Sequence, residues 1–179
     1  VSTPQERASA IIAATKDIAP AGHPDLYSTL VHAEAARRRS VDAQAAIASA
    51  RVIPSRETAV KAVGDAGEAI VELFLAAAAA RRYHEATGEP LPVDAAVLES
   101  ALDISRHGRD SVMHWDEKMA RDPGTFLAPG DTEVFILAPP GKSGTNSVVA
   151  AIEWRMLDDI VSKLAEWAGS RVPGTVIDL

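Results

Sequence analysis

The stretch Arg106-His107-Gly108-Arg109-Asp110-Ser111-Val112-Met113-His114-Trp115-Asp116-Glu117 places more ionisable side chains among apolar ones than any other part of the chain. Two stripes run through it. Val97, Ala101, Ile104, Gly108, Val112, Trp115 and Met119 recur in steps of three and four, the period of a helix with one apolar face. Asp103, His107, Asp110, His114 and Glu117 recur the same way beside them, which gathers five ionisable groups on a second face. The spacing predicts a helix from about Pro92–Asp94 to Asp122-Pro123-Gly124, with its apolar side turned to other helices.

Outward from this helix the same grammar repeats. Thr3-Pro4-Gln5-Glu6 fits a capping box with proline in the first turn, and predicts a helix to about Ile18. A second helix is expected from Pro24-Asp25 to about Arg51, with Leu26, Leu30 and Val31 on an apolar edge. Ser55 caps a third that ends at Gly88 and Pro90, with Val60, Val63, Ile70 and Phe74 facing inward and Asp65, Glu68 and Glu72 along a polar stripe. After Phe126 the texture changes. Glu133-Val134-Phe135-Ile136-Leu137 reads as a strand and Ser147 to Glu153 as its return, followed by an amphipathic helix over Arg155 to Ala168. Trp154 and Trp167 are assigned to packing that helix. The expected fold is mainly α: one domain over 1–179, with an antiparallel helical bundle (1–124), a small β-hairpin (126–153) and a C-terminal helix (155–170).

Composition agrees with that class. The 179 residues are 47% hydrophobic but only 4% aromatic, and alanine dominates, which suits closely packed helices better than a β-sandwich. A net charge of -7 disfavours broad adhesion to nucleic acid or to an anionic membrane. The absence of cysteine excludes disulfides and thiolate metal sites, and suits a reducing, cytoplasmic setting. The apolar run Leu73 to Ala80 meets Arg81 and Arg82 before reaching membrane-spanning length, so a soluble protein is expected.

Several features are weighed against chemistry and read as structural. Gly141-Lys142-Ser143 lacks the glycine that a phosphate-wrapping loop needs five residues earlier, where Ile136 stands. Arg37, Arg38 and Arg39 fan out by about 100° each and read as a solvated face. His23, His32 and His84 stand apart from one another and read as surface or hydrogen-bonded histidines. Asp65, Glu68 and Glu72, together with His107, Asp110, His114 and Glu117, suggest a carboxylate-rich metal site between helices, although the Glu-x-x-His order of di-iron bundles is absent.

Arg109-Asp110-Ser111-Val112-Met113-His114 resembles the Arg-x(4–6)-His motif of the HEPN superfamily of helical-bundle proteins, whose commoner form has Asn, Asp or His directly after the arginine, where Asp110 stands. The resemblance covers the motif and the helical region to about Asp122. It implies a metal-independent endoribonuclease without cofactor, a toxin or defence factor acting on RNA as a homodimer and checked by an antitoxin partner. His114 would be the general acid/base, Arg109 would steady the phosphoryl charge and Asp110 would orient the pair, with His107, Glu117 and Arg106 in support. Arginine offers a two-pronged donor for such charge, and histidine titrates near neutrality. On an ideal helix, five residues span roughly 140° and about 7.5 Å, so one copy holds half of a site. The rival expectation is a silent helical module that works by binding, which the negative charge favours.

Overall fold

A computed structural model describes residues 23–113, 126–138 and 145–172, with side chains described at all of these except 109–113 and 126. The helix expected over Thr3–Ile18, the segment from His114 to Thr125, Gly141-Lys142-Ser143 and the Val176–Leu179 tail lie outside the described residues.

Among the described residues, four helices and a three-stranded sheet follow in the order α1 (Pro24–Val52), α2 (Arg56–Thr87), α3 (Ala95–Met113), β1 (Phe126–Pro129), β2 (Glu133–Ala138), β3 (Ser147–Glu153) and α4 (Trp154–Gly169). Their ends have local causes. Ser55 and Thr58 close a reciprocal capping box at the start of α2, and Gly88 ends it at φ 74°, a conformation that glycine adopts without a Cβ penalty. At the start of α1, Pro24 occupies the first turn and the His23 ring accepts from the Asp25 amide.

Cross-helix pairs establish that neighbours run antiparallel. Between α1 and α2, Asp25 meets Arg82, His32 meets Glu72 and Arg39 meets Glu68. Between α2 and α3, Arg81 meets Glu99 while Gly108 lies against Ile70. Between α1 and α4, Ser40 bonds Asp158 and Leu30 lies near Gly169. Residue numbers rise on one helix as they fall on the other in every case. α2 is central, with α1 and α3 against it and α4 packed chiefly on α1.

The core is lined by alanine along the helix faces and filled by leucine and isoleucine between them. Ala33, Ala36 and Ala43 of α1 and Ala66, Ala69 and Ala76 of α2 are fully buried. So are Ile70, Leu73, Leu157, Ile160 and Leu164. Small side chains let axes come within the 8–10 Å range typical of packed helices. On α2 the buried line passes through Ala62, Ala66 and Ala69 rather than Val60, which is 63% exposed and corrects the expected inward face.

The expected hairpin is a three-stranded antiparallel meander, since Phe126–Pro129 adds a strand in front of the predicted pair. Leu127 pairs with Ile136, and Val134 with Ile152, and these four are buried on one face against the helices. Between Ile136↔Ala150 and Leu137↔Val148 the register skips Val149, a bulge that leaves both Val148 and Val149 exposed. Four residues were too few, and Pro129 too discouraging, for Phe126–Pro129 to be read as a strand from sequence. The Trp154 indole donates to Gly130 O at 2.9 Å and its amide to Thr132 O, which fastens α4 to the β1–β2 turn. Trp154 and Trp167 are both buried in packing α4, as expected.

Candidate functional site

α3 carries the first half of the motif, and its seating decides which way that half faces. Leu98, Ala101, Leu102, Ser105 and Gly108 are buried against α2 and the sheet. This corrects the expected apolar stripe, because Val97 is 36% exposed and Ile104 only half-buried. The core line is rotated by about one residue, because the larger, unbranched-at-Cβ Leu98 and Leu102 fill the space beside the alanines of α2. Ser105 is compatible with full burial because its hydroxyl donates to Ala101 O at 2.5 Å and Leu102 O at 3.3 Å.

Asp103, Arg106 and His107 are exposed on the other side of α3. Asp110 follows Asp103 and His107 in helical register, whereas position 109 continues the line through Leu98, Leu102 and Ser105. Arg109 and Asp110 thus lie on described helical backbone, four and three residues before Met113, the last described residue of this stretch. His114 and Glu117 lie outside the described residues. The helix therefore brings Asp103, Arg106 and His107 together on one solvent-facing surface at the motif's threshold.

The acidic stripe of α2 goes elsewhere. Asp65, Glu68 and Glu72 meet α1 rather than α3. Glu72 Oε2 lies 2.6 Å from His32 Nδ1, Glu68 Oε2 lies 2.6 Å from Arg39 Nε, and Asp65 takes both Arg39 at 3.4 Å and Lys61 at 2.5 Å. Asp65 is 7% exposed, and two cations beside it offset the cost of burying its charge. The Asp65 hydrogen bond in turn raises the pKa of the Lys61 ammonium above its ordinary value. Among the described residues, no three His, Asp or Glu side chains form a group that could hold a metal ion. The metal site drawn between this acidic stripe and the histidines of α3 does not form from the described residues, because the carboxylates are already spent on α1.

A cleft of about 310 Å³ opens along the same seam, lined by Ala35, Arg38, Arg39, Asp42, Glu68 and Glu72. Arg37, Arg38 and Arg39 are all exposed, as expected; within that solvated face Arg39 pairs with Glu68 across the seam and Arg37 with Glu34. Sequence held a signal for this seam. His32 and Arg39 are seven residues apart on α1, as Asp65 and Glu72 are on α2, so two complementary stripes fit one antiparallel pair.

The remaining histidines are structural, as read. His23 stacks edge-on against Tyr83, which stacks edge-on against Trp167. The His84 ring lies 2.6 Å from Glu89 O beyond the end of α2. Burial raises the pKa of the Tyr83 phenol above its ordinary value, with the Glu89 carboxylate adding to the shift.

No family model, no curated protein and no solved structure matches this chain. Among the described residues no helix is long and apolar enough to cross a membrane.

Proposed function

We propose that this chain is a HEPN-like, metal-independent endoribonuclease, a toxin or defence factor that acts as a homodimer through Arg109 and His114. One observation carries the reading: α3 is a bundle helix that bears Arg109 and runs to the residue before His114, with Asp103, Arg106 and His107 open to solvent on its outer face. In this reading His114 takes the proton from a ribose 2′-hydroxyl, Arg109 stabilises the charge that builds on the phosphoryl oxygens and Asp110 orients them. Arg106 and His107 extend the polar surface on which RNA lies, and Glu117 supports His114. The wide angle between positions 109 and 114 is bridged by a second protomer supplying the complementary half. An antitoxin partner would cover the same surface.

Incubation with single-stranded RNA in EDTA tests this directly. Cleavage by the parent and not by Arg109→Ala or His114→Ala supports it, and absence of cleavage across varied RNA with all three proteins folded overturns it. The second reading, a non-catalytic helical module that binds a partner protein, is favoured by the net charge of -7, which is unusual for a surface that grips RNA. That module would bind its partner with His114→Ala as well as without it.

A further inference from the structure

The cleft on the α1–α2 seam has a local cause. His32 and Arg39 of α1 reach across to Glu72 and Glu68 of α2, each at 2.6 Å. Ala35 lies between them on the same helix face, in steps of three and four. A longer side chain at position 35 would fill the seam, whereas alanine leaves a hollow of about 310 Å³ walled by charged residues. That volume suits a small ligand.

The lining holds open bonding capacity of both signs. Arg38 donates only from Nε, to Glu34 O at 3.4 Å, so its two terminal nitrogens have no partner among the described residues. Asp42, one turn further along α1, has no hydrogen bond or ion pair among the described residues. The two stand at the i, i+4 spacing of a helical ion pair and do not close one. Across the seam, Glu68 and Glu72 each use only Oε2, for Arg39 and His32, which leaves Oε1 of each open.

One guanidinium fork thus faces three carboxylates. A simple anion in the cleft would meet the three carboxylates, and a simple diamine would meet Arg38. A ligand with one carboxylate and two ammonium groups gives each of these groups an opposite charge. The sites lie one helical turn apart along α1 and one interaxial distance, about 8–10 Å, across to α2. The four-carbon stem of a lysine side chain matches that layout.

We infer that the α1–α2 cleft binds a free dibasic amino acid of the lysine class. Its carboxylate lies on Arg38, its α-ammonium on Asp42 and its side-chain ammonium on the open oxygens of Glu68 and Glu72. This site stands independently of the ribonuclease reading. Arg38, Asp42 and Glu68 are exposed, so the complex is weak, with a dissociation constant on the order of 1 mM that rises with salt.

Two-dimensional NMR titration of the full chain at low salt tests this. L-Lysine is expected to shift the amides of Ala35 and Arg38 and the Arg38 Nε–H along one saturable curve. Cadaverine, which is lysine without its carboxylate, and norleucine, which is lysine without its side-chain ammonium, should each bind roughly tenfold or more weakly. Arg38→Gln should erase the difference between lysine and cadaverine. Ala35→Leu, a good helix former at a half-buried position, should fill the hollow and abolish the shifts with circular dichroism unchanged. Arg38→Gln changes an exposed side chain and stays informative even where Ala35→Leu disturbs the seam. No saturation up to about 20 mM lysine, equal affinity for lysine and cadaverine, or lysine binding unaltered by Arg38→Gln would each overturn the proposal.

Discussion

Gly108 of α3 sits directly against Ile70 of α2, so closely that a Cβ at position 108 would overlap the Ile70 Cγ2 methyl. Ile70 is fully buried and its Cγ2 is attached at the branch point, so it has no flexible end to swing aside. The same imagined Cβ would lie 3.5 Å from Ile136 of β2, which places this glycine where two helices and the sheet converge. Gly108→Ala is expected to destabilise the fold by about 1–3 kcal/mol through overpacking, despite a gain of roughly 0.5–1 kcal/mol in helix propensity. Combining it with Ile70→Val leaves the Cγ clash, whereas Ile70→Ala removes it. Urea unfolding of the single and double variants checks this. A Gly108→Ala protein as stable as the parent would refute the close approach.

Ser40 and Asp158 make a second test of packing. The Ser40 hydroxyl, fully buried, donates to Asp158 Oδ1 at 2.6 Å, and Gln44 donates to both Ser40 Oγ and Asp158 Oδ2. Asp158→Ala strands two donors between α1 and α4 and is expected to cost about 1–3 kcal/mol. The Ser40→Ala and Asp158→Ala double variant should lose less than the sum of the singles, a coupling that a thermodynamic cycle reads.

Tyr83 gives the fold an alkaline limit. Burial raises its pKa above the ordinary value, so the folded state favours the protonated phenol. The stability this contributes is complete below the unfolded pKa of about 10, and is lost as pH rises from there through the higher folded value. Tyr27 is the chain's other tyrosine, so Tyr27→Phe isolates Tyr83 in an ultraviolet titration of phenolate. Its midpoint should lie above about 10, and Tyr83→Phe should flatten the alkaline loss of stability.

For the proposed nuclease, His114→Ala is expected to lower cleavage by about 10²–10⁴-fold, as for loss of a general acid or base. Chelators should leave the parent's rate unchanged. His107→Ala, at an exposed position on α3, should weaken RNA binding while cleavage at saturating RNA persists. A chelator-sensitive rate would point to a different chemistry.

Helix boundaries were legible because their punctuation is local. Ser55, Gly88 and Pro24 each act on the next few residues, and the observed ends fall where those residues put them. Which face turns inward was less legible. Val60 and Val97 look like core residues by type, yet alanine seams bring α1, α2 and α3 close along Ala66, Ala69 and Ala101, and leave both valines outside. Hydropathy ranks valine above alanine, but close approach of backbones is decided by size. The acidic stripe of α2 was visible, while its partner was not, because sequence spacing fixes a stripe's face and only topology fixes its neighbour. For the candidate site, the arginine–histidine spacing was the whole of the sequence signal, and the structure adds the exposure of Asp103, Arg106 and His107 beside it.

The bond between Ser40 and Asp158 spans 118 residues of chain. α1 and α2 are joined by a short turn and find each other early, but the groove that α1 offers to α4 stays empty until the chain has passed through α2, α3 and the whole sheet. On the ribosome, at about 5–20 residues per second, that groove stays uncovered for several seconds at least. The last helix is thus a late closure over a nascent surface, and chaperone capture during synthesis would select for the α1 face that α4 later covers.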